Sequence, residues 1–297
     1  MRLFQRYYRE LCALDSRAEG AVAVDVSAVA EWYLKESEIE SFDMRSQFPN
    51  AVSPFKAAVY EYRMPMVWKV KVDGKWKLVD QRYPGKARAG MLVLQTKLPD
   101  GYTGETPPEQ KALTTLRSRF PGEIPRFLQT VHMFIGDENT FKHTVTCLNY
   151  ADENGLLLGG TVDSHVSDTH QSDDVHCLIR SCSFPVYFGI SLMHCKNVHL
   201  VDDTEHHVNE KKLKRRGLPI IKYKVISIDS MRKQAAGAAG ATGNSVLMAM
   251  HIARGHWKDY TQGKGLFGRI KGRFWWEDYV RGDEKAGATV KTYEVKK

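Results

Sequence analysis

Arg254, His256, Lys258 and Tyr260, in the stretch HIARGHWKDY, are the residue types that grip a phosphate and move a proton beside it. Arginine offers phosphate oxygens a fork of N–H donors. Histidine titrates near neutrality and serves as acid or base, and tyrosine donates a hydrogen bond or stacks. Read as one strand, with side chains alternating between faces, Ile252, Arg254, His256, Lys258 and Tyr260 share a side. Gly255 then marks a bulge or a close approach of ligand to backbone. The chemistry open to this set is metal-independent RNA cleavage, with the 2′-OH as nucleophile. His256 would be the acid or base, Arg254 and Lys258 would hold phosphate, and Tyr260 would support them.

Just beyond, Lys264, Arg269, Lys271, Arg273 and Arg281 are interleaved with Phe267, Phe274, Trp275, Trp276 and Tyr279. Cations among rings make a stacking and charge surface suited to single-stranded nucleic acid. Arg254, Lys258, Lys264, Arg269, Lys271, Arg273, Trp275 and Arg281 are the expected binding residues. The plainer reading stands beside it. Trp275 and Trp276 point to opposite faces of a strand, so one belongs to a core, and a lone strand histidine is more often structural than catalytic.

Charge locates the same region. The chain has 297 residues and a net charge of +8. From His207 to Lys297 there are 20 Lys+Arg against 8 Asp+Glu; the rest carries 23 against 27. All the basic surplus sits in the last third, which suggests an anionic partner docking there, nucleic acid first among candidates. A solvated basic face with no ligand is the alternative.

A second cluster contains His165, His170, His176, Cys177, Cys182, His194, Cys195, His199, His206 and His207, with Asp163, Asp168, Asp173 and Asp174 nearby. Histidine and cysteine are the usual zinc ligands, yet no paired-knuckle spacing appears. No bound metal or other cofactor is expected. Asp163, His165, Asp168 and His170 would be the ligands if one existed. The five cysteines are scattered and odd in number, which fits reduced thiols better than disulfides. No dinucleotide fingerprint, phosphate-binding loop, nucleophile elbow or HExxH motif is present. KHTVTC resembles the HxT element of two-histidine phosphoesterases only superficially, because the hydroxyl is out of register and no second copy occurs.

The elements that must position these residues read as α+β: N-terminal helices, then a mainly antiparallel sheet, then a β-rich C-terminal segment. Leu3, Phe4, Tyr7, Tyr8 and Leu11 recur at helical steps, and a second helix is expected from Asp25. Asp73-Gly74 is the dipeptide of a type I′ hairpin turn. Pro107 opens a helix that Pro121 ends. RFLQTVHMFIG, KHTVTCLNY and LLLGGTV are strands. HCLIRSCSFPVYFGISLMHCKNVHLV is apolar throughout, either a buried strand pair or a strand followed by a short helix. MRKQAAGAAGATGN is too glycine-rich for a stable helix and is expected to be mobile. Three regions follow: 1–122, 123–210 and 211–297, the last two open to being one domain. No run reaches the about 18 apolar residues of a membrane span. The first residues lack a secretory h-region, so a cytoplasmic setting is expected.

GLPIIKYKVISIDSMRK, MHIARGHWKDYTQGKGLFGRIKGRFWWEDYVRG and KTYEV, with LMHCKNVHLV before them, resemble an uncharacterised family of bacteriophage and actinobacterial mobile-element proteins. Its C-terminal pattern is RGH…Y…LFG…W…RG. The resemblance implies a protein acting in the cytoplasm of a bacterial host, and it marks Arg254, Gly255, His256, Tyr260, Gly268, Gly272, Trp275, Arg281 and Gly282. No activity comes with it. Three functions therefore stay open: a nucleic-acid-binding protein, an RNase-like enzyme, and an inhibitor of a host or defence protein or binder of a nucleotide.

Overall fold

The computed structural model describes residues 2–36, 48–63, 67–72, 75–80, 87–137, 139–163, 172–203, 210–228, 249–253, 256–263, 265–266, 270–276, 279–281 and 283–288. They form two compact units, one of Met1–Met193 with Leu200–Ile226 and one of His194–His199 with Ser227–Lys297. The class is α+β.

In the first unit the expected N-terminal helix is two short ones, α1 (Leu3–Arg6) and α2 (Tyr8–Leu14), followed by a 3-10 turn at Ser16–Ala18. Leu3, Phe4, Leu11 and Ala18 are buried in one cluster with Val59, Leu92, Leu94 and Phe134 of the sheet. Strand β1 (Val22–Asp25) leads into α3 (Ser27–Glu36) and then β2 (Ala57–Arg63). The helix expected with Asp25 at its N-cap is α3, which begins two residues on. VAVD is buried strand, and Asp25 closes it by accepting the Ser27 N–H at 2.8 Å. Four residues are too few to show a period.

A hairpin of β3 (Val67–Val72) and β4 (Lys75–Asp80) follows, with Val72 opposite Lys75 as a two-residue turn requires. Asp73 and Gly74 lie outside the described residues. Then come β5 (Arg88–Lys97), α4 (Pro107–Arg119), β6 (Phe127–Gly136), β7 (Phe141–Ala151) and β8 (Leu157–Asp163). The remaining elements of this sheet's surroundings are α5 (Ser172–Met193), β9 (Val198–Asp202), α6 (Glu210–Arg215) and β10 (Tyr223–Ile228).

The eight-stranded sheet runs β8-β7-β6-β5-β2-β1-β10-β9. From β2 through β8 its neighbours are antiparallel, whereas β1 is parallel to both β2 and β10. Gly90 of β5 is required by close packing: a Cβ there would stand 2.6 Å from the Tyr60 carbonyl and 2.7 Å from the Phe134 ring. One face lies under α1 and α2 and, farther along, under α4 through Leu113 and Leu116 on Leu128, Tyr150 and Leu158. The opposite face carries α5, which packs on α3, β5 and β6.

Helix α5 corrects both alternatives for HCLIRSCSFPVYFGISLMHCKNVHLV, a strand pair or a strand followed by a short helix: the order is helix, then strand β9. The helix has 22 residues, with Pro185 inside it. Phe184, Val186, Tyr187, Phe188, Ile190 and Leu192 are all buried. From Ser183 to Leu192 every residue is buried, so this half of the helix has no polar stripe to show a helical period. Beneath it, Gln95, Gln129 and Asn149 form a row across three strands. Asn149 Nδ2 donates to the Tyr187 hydroxyl at 2.7 Å, and Gln129 Nε2 donates to the Ala51 carbonyl at 2.8 Å. Such polar groups tolerate burial because each has a partner. Among the described residues, no helix is long and apolar enough to cross a membrane.

In the second unit, β11 (Ala249–Ala253) lies between β14 (Tyr279–Arg281) and β15 (Asp283–Ala288), while β12 (His256–Asp259) pairs with β13 (Arg273–Trp276). The stretch read as one strand from Ile252 to Tyr260 is therefore two, with different partners. Residues 231–244, expected to be mobile, lie outside the described residues.

Candidate functional site

The β12–β13 pair gathers several of the residues singled out by type. Its register sets His256 opposite Trp276, Trp257 opposite Trp275, Lys258 opposite Phe274 and Asp259 opposite Arg273. Opposed residues share a face, so the pair has two distinct sides.

One side carries His256, Lys258, Phe274 and Trp276. Phe274 is buried with Leu266, and Tyr260 and Trp276 pack against them. The Tyr260 ring meets Phe274 edge-on at 5.9 Å between centroids. Lys258 Nζ stands 4.1 Å from the centre of the partly exposed Trp276 ring, a cation–π contact that keeps an ammonium beside an aromatic surface. His256 is exposed at the end of this row, and Lys271 is exposed before β13.

The other side is occupied. Trp275 is buried and meets Trp257 at 4.7 Å. The fully buried Asn197 side chain serves it as a substitute strand: Nδ2 donates to the Trp275 carbonyl at 2.8 Å, and Oδ1 accepts the Trp275 N–H at 3.1 Å. The Lys196 N–H donates to the Arg273 carbonyl at 2.9 Å. Gly272, at φ 145°, sits where a Cβ would stand 2.7 Å from the Lys196 stem. Arg273 Nη2 pairs with Asp259 Oδ2 at 3.1 Å. Hydrogen bonds from Thr261, then Arg273, hold the Asp259 carboxyl below its usual range.

The fold thus brings together His256, Lys258, Tyr260, Arg273 and Trp275, with Lys271 close in sequence. Arg281 is placed in β14 opposite His251, in a different sheet. Arg254, Lys264 and Arg269 lie outside the described residues. So do His165, Asp168 and His170 of the possible metal cluster. Among the described residues no group of three His, Cys, Asp or Glu stands together as a metal site would need.

A second feature, in the first unit, involves residues the sequence did not flag. A cavity of about 550 Å³ opens at the carboxyl ends of β1 and β10, lined by Arg2, Arg63 and Arg88 and by Asp25, Asp202 and Asp203, among others. Strand carboxyl ends are the usual ligand position in sheets with parallel strands. Asp25 Oδ2 receives Arg88 Nη2 at 2.7 Å and Arg2 Nε at 2.9 Å. Arg2 also pairs with Asp203, and its guanidinium lies 4.3 Å over the Tyr223 ring. Arg88 Nε faces Glu61 at 3.2 Å. Burial pushes the fully buried Glu61 carboxyl up, against the pull of Arg88. Burial would raise Asp25 too, but Arg88 and then Arg2 outweigh it and hold the carboxyl low. Three guanidiniums against three carboxylates leave this cavity no net charge for a phosphate. Its first effect is to tie the amino terminus to the sheet. Only the Asp at a strand-to-helix junction was a local sign of it; the partners are distant in sequence.

No protein-family model, no curated protein and no solved structure matches the chain.

Proposed function

We propose that the C-terminal unit binds single-stranded nucleic acid through the β12–β13 face bearing His256, Lys258 and Trp276, with Lys271 beside it. The observation carrying this reading is the Lys258 ammonium held 4.1 Å over the partly exposed Trp276 ring. A base stacks on the indole while Lys258 and Lys271 neutralise the flanking phosphates. The surplus of this unit itself, 14 Lys+Arg against 7 Asp+Glu over 194–199 and 227–297, draws the strand in. Arg273, committed to Asp259, and the buried Trp275 support this face from behind. A phage or mobile-element protein working in a bacterial cytoplasm, as the C-terminal pattern suggests, has single strands within reach.

The test is fluorescence anisotropy with labelled oligo(dT) and oligo(U) across a salt series. Lys258→Ala should remove one phosphate contact and so flatten the slope of log K against log[salt] by about 0.7. Trp276→Ala should cost about 1–3 kcal/mol of binding through lost stacking, and Arg273→Ala much less. Affinity indifferent to salt, or equal in wild type and both face variants, refutes the reading. The same samples run on a gel report cleavage; RNA cut by wild type but not by His256→Ala would make the protein an RNase.

A further inference from the structure

A polar row crosses the first unit's sheet between the patch under α1 and α2 and the patch under α4. It consists of His132 on β6, Thr146 and His143 on β7, and Asp15 ahead of the 3-10 turn. His132 is opposite Thr146, and the register slips between Met133 and Phe134, leaving Phe134 opposite His143. Three residues apart on a regular strand, His143 and Thr146 would point to opposite faces. The bulge turns both toward His132, and bulges recur beside active sites for this purpose. Thr146 Oγ1 is 3.0 Å from His132 Nδ1 and 3.2 Å from His143 Nε2. His132 Nε2, which has no hydrogen-bond partner, faces Asp15 Oδ2 at 3.6 Å. Arg17 grips that carboxylate with Nε at 3.0 Å and Nη2 at 2.7 Å.

Proton positions follow from charge. The Asp15 carboxylate, 3.6 Å from Nε2 and not hydrogen-bonded to it, favours by its charge the tautomer with the proton on Nε2, which leaves Nδ1 bare. The Thr146 hydroxyl then donates to Nδ1, and its oxygen accepts the His143 Nε2–H. His132 is neutral at neutral pH, because burial, and then the charge of His143, lower its pKa. Burial would raise Asp15, but the Arg17 contacts outweigh it and keep the carboxyl ionised. The His132 side chain is 9% exposed, whereas Thr146 is partly exposed. A buried base behind a partly exposed hydroxyl, with a carboxylate facing the base's other nitrogen, is the layout of an activated nucleophile.

We propose that Thr146 is a nucleophile activated by His132 and oriented through Asp15, and that this face hydrolyses carboxylic esters through an acyl-Thr146 intermediate. Oγ1 bonds to the ester carbon as its proton passes to His132 Nδ1. The bond from carbon to the leaving oxygen breaks, and that oxygen takes the proton from Nδ1. Water then attacks the acyl carbon, gives a proton to Nδ1, and Thr146 leaves as the hydroxyl once the proton returns. The net change is ester plus water to acid plus alcohol. The His143 N–H, 3.2 Å from Oγ1 in the resting protein, is freed by the attack to turn toward the ester carbonyl oxygen as that becomes the oxyanion.

The probe is p-nitrophenyl acetate with the full chain, quenched in acid and mapped by peptide mass spectrometry. One acetyl group on Thr146 is expected, and Thr146→Ser should retain it. His132→Ala should slow its formation by about 10²–10⁴-fold, the usual contribution of a general base. Acetylation of lysines with none on Thr146 in the folded wild type overturns the proposal. So does p-nitrophenolate release at one rate from wild type, Thr146→Ser and a folded Thr146→Val. The wild-type map needs no variant, so a substituted chain that folds poorly does not alter what the map decides.

Discussion

Replacing Asp25 by Asn isolates the charge at the centre of the first unit's ion cluster. Asn keeps an oxygen for the Ser27 N–H, bonded at 2.8 Å. It removes the negative charge facing Arg88 at 2.7 Å and Arg2 at 2.9 Å, and puts an NH2 group where the oxygen shared by both arginines stood. Asp25 is 8% exposed and its arginine partners 11% and 12%, so water does little to replace it. Removing one partner of a buried pair costs about 3–5 kcal/mol. Glu61 and Asp203 still face the two arginines, which places the expected loss near the lower figure. With a urea m-value of about 3 kcal/mol/M for a chain of this size, that is a midpoint shift of about 1 M, followed by circular dichroism of the sheet transition. The control is Asp202→Asn, whose partner Lys224 lies 2.9 Å away with side chains 73% and 38% exposed. Water and salt screen that pair, so its loss should leave the midpoint where it was. The pH dependence has a definite sign. The folded Asp25 pKa lies below its unfolded value of 3.8, so its contribution is full above that pH and is lost as pH falls through the folded pKa. The gap between wild type and Asp25→Asn should thus hold at neutrality and close only in strong acid. Equal midpoints for Asp25→Asn and Asp202→Asn at pH 7 would refute the reasoning.

Two further outcomes test the fold around the sites. Thr106 Oγ1 accepts the Glu109 N–H at 3.4 Å while Glu109 accepts the Thr106 N–H at 3.0 Å, a reciprocal cap on α4; Thr106→Ala should cost about 1 kcal/mol in urea melts. Burial pushes the Cys147 and Cys195 thiols up to about 12, so both should resist iodoacetamide in the native protein at about pH 8 while the half-exposed Cys12 reacts first. Rapid native labelling of Cys147 or Cys195 would contradict their burial.

The sequence by itself determined the features that depend on near neighbours in the chain. Pro107 opening α4, the Asp73-Gly74 spacing between β3 and β4, and the strands through RFLQTVHMFIG and KHTVTCLNY rest on local dihedral preference and alternation. The same holds for the α+β class and for the basic surplus after His207. Tertiary structure decided whatever depends on which side chain arrives from far away. β1 is stable as four residues because β2 and β10 pair with it on both edges. α5 is one helix because sheet and α3 bury it from several sides, erasing its period. Arg273 and Lys258 look alike in the sequence, yet strand register hands one to Asp259 and leaves the other on an indole. His132, Thr146 and Asp15 carry no joint signal in sequence; strand pairing sets His132 opposite Thr146, a register slip just beyond adds His143, and the chain after α2 brings Asp15.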